Sequence, residues 1–360
     1  MSTTKKTRIA FEPDYAVAPG RTLQETIDHL GIDQAELAAR TGLHKKTINQ
    51  IIKGKAPLTP DTALLLERVT GVVARTWNNL EANYREQLAR LESKKHLSSQ
   101  LEWLKQIPTK ELIARGVIEA TGDLVKMVDQ ALKFFGVASV DAWNEGWSTP
   151  QFAFRKSPTA AGHDGALATW LRLAELEAQS VECPPYDPKK FNAAVHAIRD
   201  LTVTSPSVFV NQMKTLCSDA GVVLALVPEI KGARVSGAAK WLTPSKAMIA
   251  LNLHGKFNDR FWFTFFHEAG HILNDSKKEL FVDADYVDDP REHEANNFAR
   301  TILIPFKYDE ELPTLTTFAA VSTFAKKVGI APGIVVGRLQ RAKIIDYSKL
   351  NGLKERFDWK

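Results

Sequence analysis

The run His267-Glu268-Ala269-Gly270-His271 constrains this chain more than any other feature. Two histidines four residues apart share a face only if the segment is helical, so the spacing predicts a helix from about Asp259 to Leu273. Two imidazoles on one face are what tetrahedral zinc takes from a single helix. Glu268 falls beside them, where a carboxylate can activate the attacking water and later protonate the leaving amine. The flanks Phe261 to Phe266 and Ile272-Leu273 are apolar enough to bury the helix.

Two histidines leave a protein ligand missing. A second helix is expected from Pro290 to Leu303, opening Asp289-Pro290-Arg291-Glu292-His293-Glu294. Asp289 as N-cap, Pro290 next and Glu292 three residues on resemble a capping box, which gives Glu292 a structural task. Glu294 is free of that task and shares a face with Phe298, so it is expected as the third ligand. His293, Asp283, Asp285 and Asp288 are the alternatives. His254 and Tyr286 are further candidates, for stabilising an oxyanion.

The sheet expected beside these helices is small. Val222 to Val227 and Ala247 to Leu253 read as strands, with a hairpin segment between them from Gly232 to Leu242. The N-terminal quarter is different. Gln34, Leu37, Ala38, Gly42, Leu43, Ile48 and Ile51 have the spacing of two short helices crossing at a tight turn. The second helix, from about Lys45 to Ile52, suits a DNA major groove. Its expected DNA-facing set is Gln34, His44, Lys45, Lys46, Thr47, Asn49, Gln50, Lys53 and Lys55. Arg40, Lys45, Lys46, Lys53 and Lys55 lie in a stretch without a single acid. Thr59-Pro60-Asp61 starts another helix that ends at Gly71, and a long charged helix follows from Ala74 to Lys94.

Forty-seven Lys and Arg against 42 Asp and Glu leave a net charge of +5, which permits nucleic-acid binding without requiring it. Cys183 and Cys217 form no Cys-x-x-Cys pair, so a disulfide framework and an all-cysteine zinc site are excluded. Cys217, set among Met213, Leu216 and the strand after it, reads as a core residue. The basic start, Met1 to Arg8, leads into no apolar run, so neither a signal peptide nor a membrane span is expected. A cytoplasmic protein is the expectation. Its organisation reads as a flexible tail over 1–14, a helix-turn-helix domain over 15–72 and a connecting helix over 73–96. A helical middle region over 97–215, a metal domain over 216–345 and a C-terminal tail over 346–360 complete it.

Two family resemblances sharpen these readings. The run GIDQAELAARTGLHKKTINQIIKGKAPLTPDTALLLERVTG followed by TWNNLEANY resembles the HigA-type antitoxins of the XRE helix-turn-helix class. That likeness implies binding to operator DNA, a homodimer and a small cognate toxin as partner. GVVLALVPEIKGARVSGAAKWL, FWFTFFHEAGHILND and EANNFARTILIP, in that order, resemble the ImmA/IrrE zinc metallopeptidases. That likeness implies zinc on His267, His271 and Glu294, Glu268 as general base, and a repressor protein as substrate. The fold class expected is multidomain: an all-α helix-turn-helix bundle, a helical middle region and an α+β, zincin-like domain with a small sheet. The function expected is a DNA-binding regulator with a gluzincin-like zinc endopeptidase that cuts a repressor, a toxin or itself. The alternative is an antitoxin and autorepressor whose second domain only binds a toxin or senses a ligand.

Overall fold

The structure is a computed structural model, and it describes residues 14–147, 164–252, 257–275, 280–283 and 290–357. His254, Asp285, Tyr286, Asp288 and Asp289 lie outside the described residues, and Asp283 is described in its backbone alone. The chain forms two compact units, Met1–Leu101 and Glu102–Lys360.

Among the described residues the first unit holds five α-helices: α1 (Pro19–His29), α2 (Gln34–Thr41), α3 (Lys45–Ile52), α4 (Pro60–Thr70) and α5 (Ala74–Ser98). The helix ends follow local chemistry. The Asp33 side chain caps α2 by accepting from the Glu36 N–H at 2.8 Å. Gly42 then stops α2 with a φ of 74°, a conformation that favours glycine. Thr59 caps α4 by accepting from the Thr62 N–H, and Pro60 takes the first helical position. Leu23, Ile27, Leu37, Ile48, Ile51, Leu66 and Trp77 close the shared core. Trp77 keeps its polar edge satisfied by donating Nε1–H to the Val72 carbonyl at 3.1 Å.

The second unit is built on a four-stranded sheet of β1 (Val222–Leu226), β2 (Gly237–Thr243), β3 (Lys246–Leu251) and β4 (Leu280–Asp283), in the order β1-β3-β2-β4. β1 pairs with β3 in parallel, and the other pairs are antiparallel. β1 and, after Lys246, β3 read as continuous apolar runs because both of their faces are covered. Val222, Leu224, Ala239, Ala247 and Ile249 face one core, which includes Phe265, Phe266 and Ala269. Val223, Ala225, Ala238, Met248 and Ala250 face the other, against Trp170, Leu171, Ala174 and Ala178. The helix Asp164–Ser180, a stretch without any chemical motif, thus closes the back of the sheet. Cys217 is fully buried in the first core, as its neighbours in sequence suggested.

Two further features differ from the sequence reading. β4 lies where the sequence predicts no strand, because a four-residue edge strand is too short to show periodicity. The segment from residue 346, expected as a tail, is tied into the domain. Asn258 donates its N–H to the Glu355 carbonyl at 2.9 Å, Lys354 pairs with Asp259 at 2.6 Å, and Phe357 is buried. These contacts serve the first turn of the motif helix Asn258–Asn274, whose N–H groups have no partners within the helix. Among the described residues no single helix is long and apolar enough to cross a membrane.

Candidate metal centre and nucleic-acid interface

The motif helix is buried along most of its length, with Phe265, Phe266, His267, Glu268, Ala269, Gly270 and His271 all inside. His267 and His271 stand with ring centres 4.7 Å apart, and their Nε2 atoms are 3.1 Å from each other. The helix Pro290–Leu303 brings in a carboxylate. Glu292 Oε2 lies 3.1 Å from His267 Nε2, and Oε1 lies 3.6 Å from His271 Nε2. One donor atom from each of the three residues falls within 4.8 Å of the other two.

This geometry corrects the expected ligand. Glu294 is exposed, whereas Glu292 is the acid turned toward the histidines. The reason is helical phase. Ala295, Ala299 and Leu303 form the buried stripe of this helix, and Glu292 lies one turn before Ala295 on that stripe. Phe298, used to orient Glu294, is only half-buried. Close approach of the two helices depends on Gly270. A Cβ there would stand 3.3 Å from the Ala295 Cα and 3.2 Å from the Phe298 ring.

The residues fit a cation. Asp275 Oδ2 lies 2.6 Å from His271 Nδ1, so that N–H donates to the carboxylate and the Nε2 lone pair faces His267. The two Nε2 atoms, 3.1 Å apart, are placed to share a proton or a metal ion between them. The electrostatics agree. Burial disfavours a charged His271, but Asp275, Glu292 and Glu268 outweigh it and raise its pKa from 6.5 to about 9. The pocket therefore attracts a cation, whether a proton or a metal ion. Two imidazoles and a carboxylate are a donor set suited to zinc.

Glu268 is fully buried. Its seat is shaped by Gly237, the first residue of β2. A Cβ on Gly237 would stand 2.9 Å from Glu268 Oε1 and 2.5 Å from Thr264 Cγ2, so a side chain there forces a displacement. Sequence reasoning missed Gly237, which carries no local signal. It also missed Asp275, which was legible: Asp275 lies four residues after His271, at the residue that ends the helix, within reach of the His271 ring.

In the first unit, His44, Lys45, Lys46, Lys53 and Lys55 are exposed, while Gln34, Thr47, Asn49 and Gln50 are half-buried. Part of this set is occupied within the protein. Asn49 Nδ2 donates to Gln34 Oε1 at 3.2 Å, and Gln34 Nε2 donates to Gln24 Oε1 at 2.9 Å. These amides bridge α1, α2 and α3. Arg40, counted with the basic stretch, pairs with Glu36 at 2.5 Å. The exposed cations that remain are those at the start of α3 and in the loop after it.

Comparison with known proteins matches residues 23–77 to the helix-turn-helix family and residues 222–340 to the IrrE N-terminal-like domain of the M78 peptidases. The chain is 35% identical over 63 residues to an uncharacterised HTH-type transcriptional regulator, YddM, of Escherichia coli strain K12. That match covers 18% of this chain and 67% of the relative. A solved structure from Nostoc punctiforme, described as a candidate antidote protein of a plasmid maintenance system, is 30% identical. It covers 24% of this chain and 94% of its own, with a TM-score of 0.23.

Proposed function

We propose that this chain, which belongs to the XRE-type helix-turn-helix regulators and carries an IrrE-like M78 peptidase domain, is a DNA-bound regulator whose second domain is a zinc-dependent peptidase. The observation that carries the peptidase half is the convergence of His267, His271 and Glu292 beside the buried Glu268. His267, His271 and Glu292 would hold the zinc, and Asp275 fixes the tautomer and direction of His271. Zinc held there supplies positive charge that acidifies water and polarises the scissile carbonyl. Glu268 takes the proton of the attacking water and delivers it to the leaving amine nitrogen. The substrate class is a regulatory protein: a repressor, a toxin or the chain itself.

Metal analysis tests this reading first. The purified protein is expected to hold about one zinc per chain by plasma mass spectrometry, and His271→Ala to hold none. Wild-type protein without transition metal, prepared free of chelators, would sink the peptidase half and leave the DNA-binding half standing.

For the DNA half, α3 would lie in the major groove of the operator, with the protein bound as a homodimer. Lys45, Lys46, Lys53 and Lys55 are the phosphate contacts, and Thr47 and Gln50 are the α3 side chains left for the bases, Asn49 being engaged with Gln34. Affinity for duplex from the chain's own upstream region is expected to fall steeply with salt. Replacing both Lys45 and Lys46 with Ala should flatten the log–log slope by about 1.8, at about 0.9 per phosphate. Fluorescence anisotropy across a salt series measures it, and an unchanged slope removes these lysines from the interface.

A second reading is supported by the likeness of residues 19–84 to HigA-type antitoxins. In it the chain represses its own operator and neutralises a small toxin. The buried Trp77 at the head of TWNNLEANY belongs to that likeness. Co-purification with the product of a neighbouring short reading frame tests it.

A further inference from the structure

Three arginines gather on the Phe263 side of the motif helix, one turn before His267. Arg300 stands in the last turn of Pro290–Leu303, and Arg338 and Arg341 stand in the last turn of Pro332–Arg341. The Arg341 guanidinium lies over the Phe263 ring, 5.6 Å from its centre. The Phe263 ring lies 6.3 Å from the His267 imidazole. Phe263 precedes His267 by four residues, so both project from one face of the helix. The cluster therefore flanks the proposed metal group.

Its charge is poorly balanced. Arg338 reaches Asp309 at 3.6 Å, and Asp309 is the one carboxylate acting on Arg300 among the described residues. Burial together with repulsion from Arg338 and Arg341 lowers the pKa of Arg300. A single cation in a last helical turn is favoured by the helix dipole. Three converging on one another is not, and among the described residues Asp309 is the one acid that offsets the repulsion. Guanidinium groups, flat and forked, match carboxylates in paired hydrogen bonds. Arg341 is exposed, and Arg300 and Arg338 are half-buried, so an incoming anion can reach them.

We propose that Arg300, Arg338 and Arg341 form a carboxylate-binding subsite beside the metal group, which selects peptides with an acidic group to one side of the scissile bond. The proposal rests on the peptidase reading above. The separations through Phe263 correspond to roughly three residues of extended peptide, at about 3.3 Å each. The carboxylate can come from a Glu or Asp side chain or from the C-terminus of the peptide.

The test uses tight metal-anchored probes and needs no turnover. Peptide hydroxamates are prepared with Glu at the first, second or third residue, all with amidated C-termini. A matched set carries Gln instead, and a third set carries Gln with a free C-terminal carboxylate. Binding to the zinc-loaded full-length chain is measured by competition calorimetry, with zinc content and thermal melting recorded for each variant. One Glu isomer is expected to bind about tenfold more tightly than its Gln counterpart, a difference of about 1.4 kcal/mol. Arg341→Gln and Arg300→Gln should each erase that preference while leaving the Gln probe unchanged. A preference carried only by the free C-terminus would assign the subsite to chain ends. Equal binding of every probe by the wild type, or a preference that survives both substitutions, overturns the subsite. Failure of the zinc-loaded wild type to bind any hydroxamate overturns the peptidase reading instead, and the two failures are distinct.

Discussion

Glu268→Gln is expected to lower peptide hydrolysis by about 10²–10⁴-fold while leaving the zinc content at the wild-type level. The substitution keeps the shape and removes the base. Glu268 is fully buried, so the amide occupies the same seat between the motif helix and β2. It is absent from the group of donor atoms that converge, so the metal should stay. Gly237→Ala is the companion variant. Its Cβ would fall 2.9 Å from Glu268 Oε1, and the carboxylate must move to accept it. Turnover should drop again with zinc retained, because β2 touches Glu268 and the histidines lie on a different part of the helix face. Single-turnover cleavage of a protein substrate, read beside metal analysis, separates the two outcomes. Full activity in Glu268→Gln would show that another group moves the proton.

How far the sequence foretold this site depends on which residue is considered. His267, Glu268 and His271 were legible because chemistry and helix spacing coincide in five consecutive residues. The helix-turn-helix was legible for a similar reason: caps, turn and core are all local, from Asp33 through Gly42 to Ile51. The third ligand was not. A choice between Glu292 and Glu294 is a choice of helix phase, and it turned on which neighbour marks the buried side. The small residues Ala295 and Ala299 mark it, since they allow the motif helix to approach. Phe298 misled because a large side chain at a helix edge can be half-buried without defining the packed face. Gly237 was out of reach for another reason. Its contact with Glu268 exists only once β2 is laid beside the motif helix, across about thirty residues of chain. Likewise the back of the sheet is closed by Trp170 and its neighbours, whose apolar spacing does not say which surface they cover.

Glu292→Ala is expected to abolish zinc binding, and Glu294→Ala to leave about one zinc per chain. Glu292 lies 3.1 Å from His267 Nε2 and 3.6 Å from His271 Nε2, while Glu294 is exposed. The reverse result would restore Glu294 and place the helix in another phase. Acidity provides a second measure of the same site. In the metal-free protein His271 has its pKa raised from 6.5 to about 9, so below about 9 a metal ion must displace a proton. Apparent zinc affinity should therefore climb with pH, by about tenfold per unit for one proton, and level off above about 9. The stability of the metal-free protein runs the other way. The charged imidazole contributes in full below about 6.5, and its contribution fades as pH rises through about 9. Zinc and proton thus compete for one stabilising position among Asp275, Glu292 and Glu268. The gain in melting temperature on adding zinc should accordingly be larger at pH 8 than at pH 6. Equal gains at both would show that His271 is not the group that yields its proton to the metal.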